Sequence, residues 1–382
     1  MSAPSLRVPA SPRLRRQTLV RALIADGTLC WGGHVLANPA GGTVPAQCWG
    51  QRDGLMLAWV APMLPAGEAT MWEVLPKEAE PRGRIEAEVE EGGVAFRLEG
   101  SPFTRYHTGE GIARPFLYPI LGPGGTRVTR GYPMEGIGGE SSDHPHHRSL
   151  WVAHGDVNGS DNWSEEPGHG HILTRSLLNV YGGPLAGGLT AAHQWVDAKG
   201  APVVDEEREL CVLPLAGGAW ILLLSLTFSA VYGPVTFGDT KEGGLVSVRV
   251  ATPLDVERGG RIENSRGGVG EGQAWGRPAE WCDYSGVVGG QAVGLALLDH
   301  PSNPRHPSHW HVRDYGLMTA NPFALSYYFP GEGQDGSLTL PAGGSAKWRY
   351  AAYIHGGDAT EGEVLEVYAG FASDAVAELV GS

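Results

Sequence analysis

The chain has 382 residues, 42 acidic side chains against 28 basic ones, and a formal net charge of −14. Neutralising phosphates needs a basic surface, so nucleic acid is not expected as a partner. Charged residues make up only 18% while Gly numbers 58 and Pro 28, the punctuation of an all-β protein with many short strands and turns.

Residues 1–16 carry Arg7, Arg13, Arg15 and Arg16 and read as a flexible N-terminal arm. The apolar run after Arg15-Arg16 is cut by Arg21 and Asp26, so it lacks the h-region of an export signal. No stretch reaches the roughly 20 apolar residues of a membrane span. A cytoplasmic protein with no membrane partner is expected. Residues 17–104 are expected to form a β region packed on a main sandwich domain of residues 105–382. Within the former, 18–27 alternates and stops at Asp26-Gly27, a turn signal. Residues 54–64 make an apolar strand, and 84–89 alternates charged with apolar, as a half-exposed antiparallel strand does. Residues 114–130 place two apolar runs around Gly122–Gly125, a hairpin pattern.

Four alternating runs between 171 and 233 then predict a meander, and stacked antiparallel sheets follow from neighbouring strands pairing in sequence. Helical periodicity is confined to Thr360–Val380, where Val364, Leu365, Tyr368, Phe371, Val376 and Leu379 mark one face. The expected fold is a large antiparallel β-sandwich with a C-terminal helix. Cys30, Cys48, Cys211 and Cys282 are widely spaced with no CxxC, and read as reduced, buried thiols.

Four polar, aromatic-rich segments interrupt the strands. Glu140–Trp163 is the densest, with His144, His146, His147, Arg148, His154, Asp156, Asn158, Asn162 and Trp163. Burying so many polar groups is costly unless each is satisfied, which points to one wall of a site. Phe237–Arg249 brings Asp239, Lys241 and Glu242 together before a strand. Trp275–Gly286 sets Glu280, Asp283 and Tyr284 among Trp275 and Trp281, the mixture of ring faces and acids that grips sugars. Asp299–Phe323 carries His300, His306, His309 and His311 with Arg313, Asp314 and Tyr315. Two distant His-rich segments are expected to meet, giving one pocket several groups that titrate near neutrality. GxxxxGK[ST], a strand-to-helix GxGxxG and GxSxG are absent, against phosphate-loop, Rossmann and α/β-hydrolase readings.

The stretches RPFLYPILGPGGTRVTR, DHPHHRSLWVAHGDVNGSDNW, GDTKEGG and DHPSNPRHPSHWHVRDYGLMTANPF resemble, in that order, a soluble bacterial family labelled methane oxygenase PmoA-like, over roughly residues 100 to 355. The label describes a membrane copper enzyme subunit, and this chain has no span for that role. The resemblance implies a β-rich protein found alongside sugar-processing enzymes, and a galactose-mutarotase-like supersandwich is the fold analogy.

The expected function is acid/base chemistry on a sugar or oxidised glycoside: mutarotation, epimerisation, or elimination and hydrolysis. Glu242 or Asp239 is expected as base, with His147 and His311 as acid or electrophile. Arg148, Asn162, Arg313, Asp314 and Tyr315 are expected to orient hydroxyls, and His144, His146, His154, Asp156, Asn158, Trp163, Lys241, Asp283 and Tyr284 to line the substrate. No cofactor is required in this reading. The alternatives are a His-ligated divalent-metal lyase or oxygenase, for which His144 and His146 supply an incomplete ligand set, and a non-catalytic sugar-binding protein. A small carbohydrate is the expected partner, with self-association left open.

Overall fold

A computed structural model describes residues 4–24, 29, 32–51, 54–75 and 85–380. The Asp26-Gly27 turn and Cys30 lie outside the described residues. Three large antiparallel sheets build the molecule, as the strand alternation requires.

Two eight-stranded sheets pack face to face. The back sheet runs in the order 171–181, 187–196, 202–214, 220–229, 345–356, 291–299, 281–288 and 261–264. The meander expected between 171 and 233 supplies four consecutive strands of it. The front sheet runs 310–313, 317–320, 246–249, 150–152, 116–117, 101–107, 93–98 and 85–90. One continuous core fills the space between them, with Leu150, Val152, Val246 and Val248 from the front and Leu210, Leu222, Leu224 and Trp348 from the back. The run Trp220–Ser229 is apolar almost throughout because the back sheet is covered on both faces. Trp220, Leu222 and Leu224 enter the sandwich core, while Ile221 and Leu223 join a second cluster behind it. Burial on two faces erases the alternation of a half-exposed strand.

Behind the back sheet lies a seven-stranded sheet, ordered 15–24, 54–64, 43–51, 32–37, 70–75, 5–8 and 378–380. Its two edges meet: Arg21 pairs with Val376 in a parallel bridge, Arg21 N–H donates to Ala375 O and Ala377 N–H to Arg21 O. The sheet is therefore nearly closed around its own core of Val20, Leu36, Leu57, Trp59, Trp72 and Val74. Closure removes the exposed edges of an open sheet. The residues read as an N-terminal arm are strand from Ser5 to Val8, where Leu6 and Val8 are buried in this core. The join to the sandwich falls between Leu75 and Ile85 rather than at residue 104, since the strands 85–90, 93–98 and 101–107 belong to the front sheet. The C-terminal helix is shorter than its apolar pattern suggested, Val364–Ala372, and residues beyond it return as the closing strand Glu378–Val380. Val364, Val367 and Tyr368 pack this helix against the back sheet. Cys211 and Cys282 form no disulfide. Among the described residues no helix is long and apolar enough to cross a membrane.

The back sheet also buries an ion pair. His355 Nε2 lies 2.9 Å from Asp283 Oδ2, and His355 Nδ1 lies 3.1 Å from Gly356 O. Two acceptors on the two ring nitrogens favour the doubly protonated ring. Burial opposes that charge, but Asp283 outweighs it and raises the His355 pKa. A raised histidine pKa stabilises the fold fully below the unfolded value, about 6.5, and the contribution is lost as pH rises through the folded pKa. H355Q is therefore expected to cost about 3 kcal/mol near pH 6, the low end for a broken buried pair. Urea unfolding of both proteins across pH 6 to 9 should show the gap narrowing upward; a gap that widens with pH would contradict the pair's charge state.

Candidate functional site

The site is built on the outer face of the front sheet. Strand register sets a row of side chains across it: His107 opposite Phe116, Phe116 opposite Trp151, Trp151 opposite Ser247, Ser247 opposite Thr319, and Thr319 opposite His311. Their sequence neighbours Leu117, Leu150, Val152, Val246, Val248, Met318, Ala320, Trp310 and Val312 face the sandwich core. Alternation thus presents an aromatic and polar row outward. Three interstrand steps separate Trp151 from His311, about 14 Å at roughly 4.8 Å per step.

A column of rings rises from this row. Trp151, His147, His144 and Tyr315 stack in succession, with centroids 5.3, 4.7 and 5.2 Å apart and planes within 19° of parallel. His146 meets His144 and His147 edge-on, at 5.8 and 4.5 Å, and Trp163 closes the side of the column at 5.7 Å from His147. His144 and His147 cannot both ligate one ion in this arrangement, because a ligand nitrogen's lone pair lies in its ring plane and parallel planes share no point. Among the described residues no three His, Cys, Asp or Glu side chains are grouped as metal ligands would be.

Buried arginines hold the column. Arg130 and Arg249 are both fully buried, and each donates to Asp143 Oδ1, at 2.5 and 2.8 Å. Asp143 Oδ2 accepts from His144 Nδ1 at 2.7 Å. Burial works against the Asp143 charge, but Arg249, His144 and Arg130 outweigh it and hold its pKa below the usual carboxylate range. Arg249 also donates to His147 Nδ1 at 3.4 Å and lies over the Tyr315 ring at 4.7 Å. On the other flank Arg148 grips Glu165 through two bonds of 2.8 and 2.7 Å, and buried Arg114 donates to the His146 and Ser164 carbonyls.

The loop carrying Glu242 comes down between the two His-rich segments. Gly155 N–H donates to Glu242 O at 2.8 Å. A Cβ on Gly155 would stand 2.3 Å from that same oxygen, so only glycine permits the approach. From the other side His311 Nδ1 donates to Lys241 O at 2.8 Å, and Asn321 Nδ2 donates to Thr240 O at 3.0 Å. The His311 bond places the ring proton on Nδ1 and leaves Nε2 as an acceptor. The Glu242 side chain is half exposed, pairs with Lys241 at 2.6 Å, and its charge reaches His146, His311 and Tyr315 alike. Burial lowers the pKa of His311 to about 4, with Glu242 opposing the shift. His146 is likewise lowered to about 4, by burial and then by Arg114 and His144. His147 is driven well below the ordinary range by burial, His146 and Arg249. All three are neutral at pH 7.

His144, His146, His147, Trp163, Lys241, Glu242, His311 and Tyr315 therefore share one face, and Arg148 and Arg313 stand at its flanks. Arg313 pairs with Glu271 at 3.0 Å and lies over Tyr315 at 5.6 Å. Other candidates are turned to holding loops. Asp239 Oδ2 accepts the Ser326 and Gly336 amides at 2.9 and 2.7 Å. His154 is buried, donating from Nε2 to Gly238 O and accepting Gly244 N–H. Asp156 accepts Gly159 N–H, Asn158 bonds Pro234 O and Thr236 N–H, and buried Asn162 donates to the His171 and Val196 carbonyls. Asp314 and Glu271 exchange bonds with each other's backbone amide. Asp283 pairs with His355 in the back sheet, and the buried Tyr284 hydroxyl donates to Arg313 O and accepts Gly316 N–H. The site residues that the composition of the polar segments passes over are Arg114, Arg130 and Glu165. Of these only Arg130 carried a signal, the charge that ends the alternating run 126–130.

The sequence matches the profile of a family of unknown function, DUF6807, over residues 93–369. No curated protein matches. Among solved structures, an alpha-mannosidase from Enterococcus faecalis V583 aligns with a TM-score of 0.41 at 9% identity, over 99% of this chain and 46% of that one. A protein in glycosyl hydrolase family 38 from Enterococcus faecalis aligns with a TM-score of 0.33 at 10% identity, over 100% of this chain and 47% of that one. The chain thus spans about half the length of these structures.

Proposed function

From the premise that the chain belongs to DUF6807, a family of unknown function, we propose that it is a carbohydrate-active enzyme performing acid/base chemistry at the outer face of the front sheet. The finer likeness to PmoA-like proteins that occur beside sugar-processing enzymes fits this reading. One observation carries it: the loop bearing a half-exposed carboxylate, Glu242, is held between the two histidine-rich segments, by Gly155 N–H on Glu242 O and by His311 Nδ1 on Lys241 O.

In this reading His311 Nε2 takes a proton from the sugar, from a hydroxyl or from carbon beside a carbonyl. Its Nδ1–H stays fixed on Lys241 O, and the imidazolium that forms is stabilised by Glu242. His146, neutral and hydrogen-bearing, polarises the oxygen on the opposite side. A neutral imidazole can serve as such an electrophile. Tyr315 keeps its phenolic proton, since burial raises its pKa, and can donate to a sugar hydroxyl. Trp163 and the aromatic row below are buried and brace the ring column rather than meet the sugar. Mutarotation, epimerisation and elimination or hydrolysis all use this set. No metal or organic cofactor enters the proposed steps.

The test is proton NMR in D2O with the purified chain and a panel of aldoses, uronates and keto-glycosides. Anomer exchange, solvent deuterium uptake or bond cleavage in any of them supports the reading. Saturable binding without any of the three would make the protein a non-catalytic sugar binder. The pH dependence follows from the shifts. The base form of His311 is lost only below about pH 4, so the acid limb of kcat/KM should lie near 4. A limb at the ordinary histidine value, about 6.5, would contradict the burial of the base.

A further inference from the structure

Of the aromatic and acidic segment Trp275–Gly286, Trp275 meets His311 edge-on at 6.4 Å, whereas the strand beginning at Trp281 lies in the back sheet, away from the front-face site. It opens instead on a separate groove of about 540 Å³, between that strand, the C-terminal helix and the start of the N-terminal barrel. This volume falls in the range of small-molecule sites, roughly 300–1,000 Å³. Leu365, Tyr368 and Ala369 present one helix face to it, and Trp281, Glu280 and Arg13 line it from the other elements.

The polar groups there are arranged for hydroxyls. The Trp281 side chain is more than nine-tenths buried, its indole nitrogen closed off from solvent, and the ring lends the groove an apolar wall. Glu280 is an acceptor already fixed in place: Ser265 Oγ donates to it at 2.5 Å, and Arg266 donates through two bonds of 2.9 and 2.6 Å. Arg266 and the Ser265 hydroxyl hold its pKa below the ordinary carboxylate range against the opposing effect of burial. The Tyr368 hydroxyl keeps its proton, because burial raises its pKa. A phenol and an oriented carboxylate beside the Trp281 ring and apolar Leu14 and Leu365 match a molecule with hydroxyls on its edge and C–H groups on its face.

We propose that this groove is a second carbohydrate-binding site, taking a neutral mono- or disaccharide, on the side of the sandwich opposite the front face. The proposal stands independently of the front-face chemistry. Leu365 is about half exposed on the helix, so L365W fills the groove without disturbing a core. E280Q keeps the shape and weakens the acceptor. Calorimetric titration uses glucose, galactose, mannose, xylose, maltose and cellobiose, on the full chain and on L365W, E280Q and E242Q. The expected result is at least one sugar whose binding is abolished by L365W and weakened about tenfold by E280Q, while E242Q leaves it unchanged. A panel in which L365W abolishes the binding of no sugar, binding lost only in E242Q, or no binding of any sugar in the panel would each overturn the assignment.

Discussion

Replacing Glu242 by Gln, or His311 by Gln, is expected to lower turnover on the sugar substrate by about a hundredfold or more, the usual contribution of a positioned acid/base group. Neither change should unfold the protein. The Glu242 side chain is 49% exposed and its partner Lys241 40% exposed, and a surface pair of this kind is worth at most about 1 kcal/mol. His311 is buried, but glutamine retains an N–H able to donate to Lys241 O and so to keep the loop in place. The same deuterium-exchange and cleavage assay reads the rates, with circular dichroism as the check on folding. Near-wild-type rates in both variants would remove the proposed base and its counter-charge together. D239N provides the contrast: Asp239 bonds the Ser326 and Gly336 amides, so its loss should act on loop order before chemistry.

Asp143→Asn is expected to have the largest effect on stability at the site, about 3 kcal/mol. Removing one partner of a buried ion pair costs about 3–5 kcal/mol because the remaining charge is left uncompensated. Here two guanidiniums, Arg130 and Arg249, are fully buried and share the one carboxylate. The low end of the range applies because the Asp143 side chain is 39% exposed, and water screens part of the charge. The loss should also free His144 from its Nδ1 bond and loosen the ring column. Urea unfolding of D143N against the parent measures the effect; a change under about 0.5 kcal/mol, the scale of an ordinary surface substitution, would mean that the arginines find other partners.

These residues show how far the site was legible in sequence. The front-face row follows from alternation alone: in Trp310–Arg313 the inward Trp310 and Val312 leave His311 and Arg313 outside. The meeting of the segments holding His146, Glu242, His311 and Tyr315 was anticipated from composition, because so many polar rings have no place in a core. Arg130 and Arg249 were not, since an arginine closing an apolar strand reads as a solvated end. Only the outer face of the front sheet, roofed by residues 140–147, makes it buried. The opposite failure occurs at residues 154–162. Asp156, Asn158 and Asn162 read as binding groups but bond to backbone amides and carbonyls, as short polar side chains in turns commonly do.

The fold shows the same division. Local pairings such as the 171–229 meander are written in the strand pattern, whereas barrel closure joins Arg21 to Val376 across nearly the whole chain. No local propensity encodes that contact. It also explains why the helical pattern overran its end: residues 373–380 carry apolar side chains for the barrel, where Ala375 and Ala377 are buried, rather than for a helix.

The central claim, that a sugar is bound and transformed between Glu242, His146 and His311, is tested most directly by a crystal structure of H311Q soaked with a sugar that the parent protein turns over. The account predicts a sugar over the front sheet, within hydrogen-bond distance of Glu242, with a ring or hydroxyl oxygen facing His146 and position 311. A sugar found only in the Trp281 groove, with the front face bare, would contradict it.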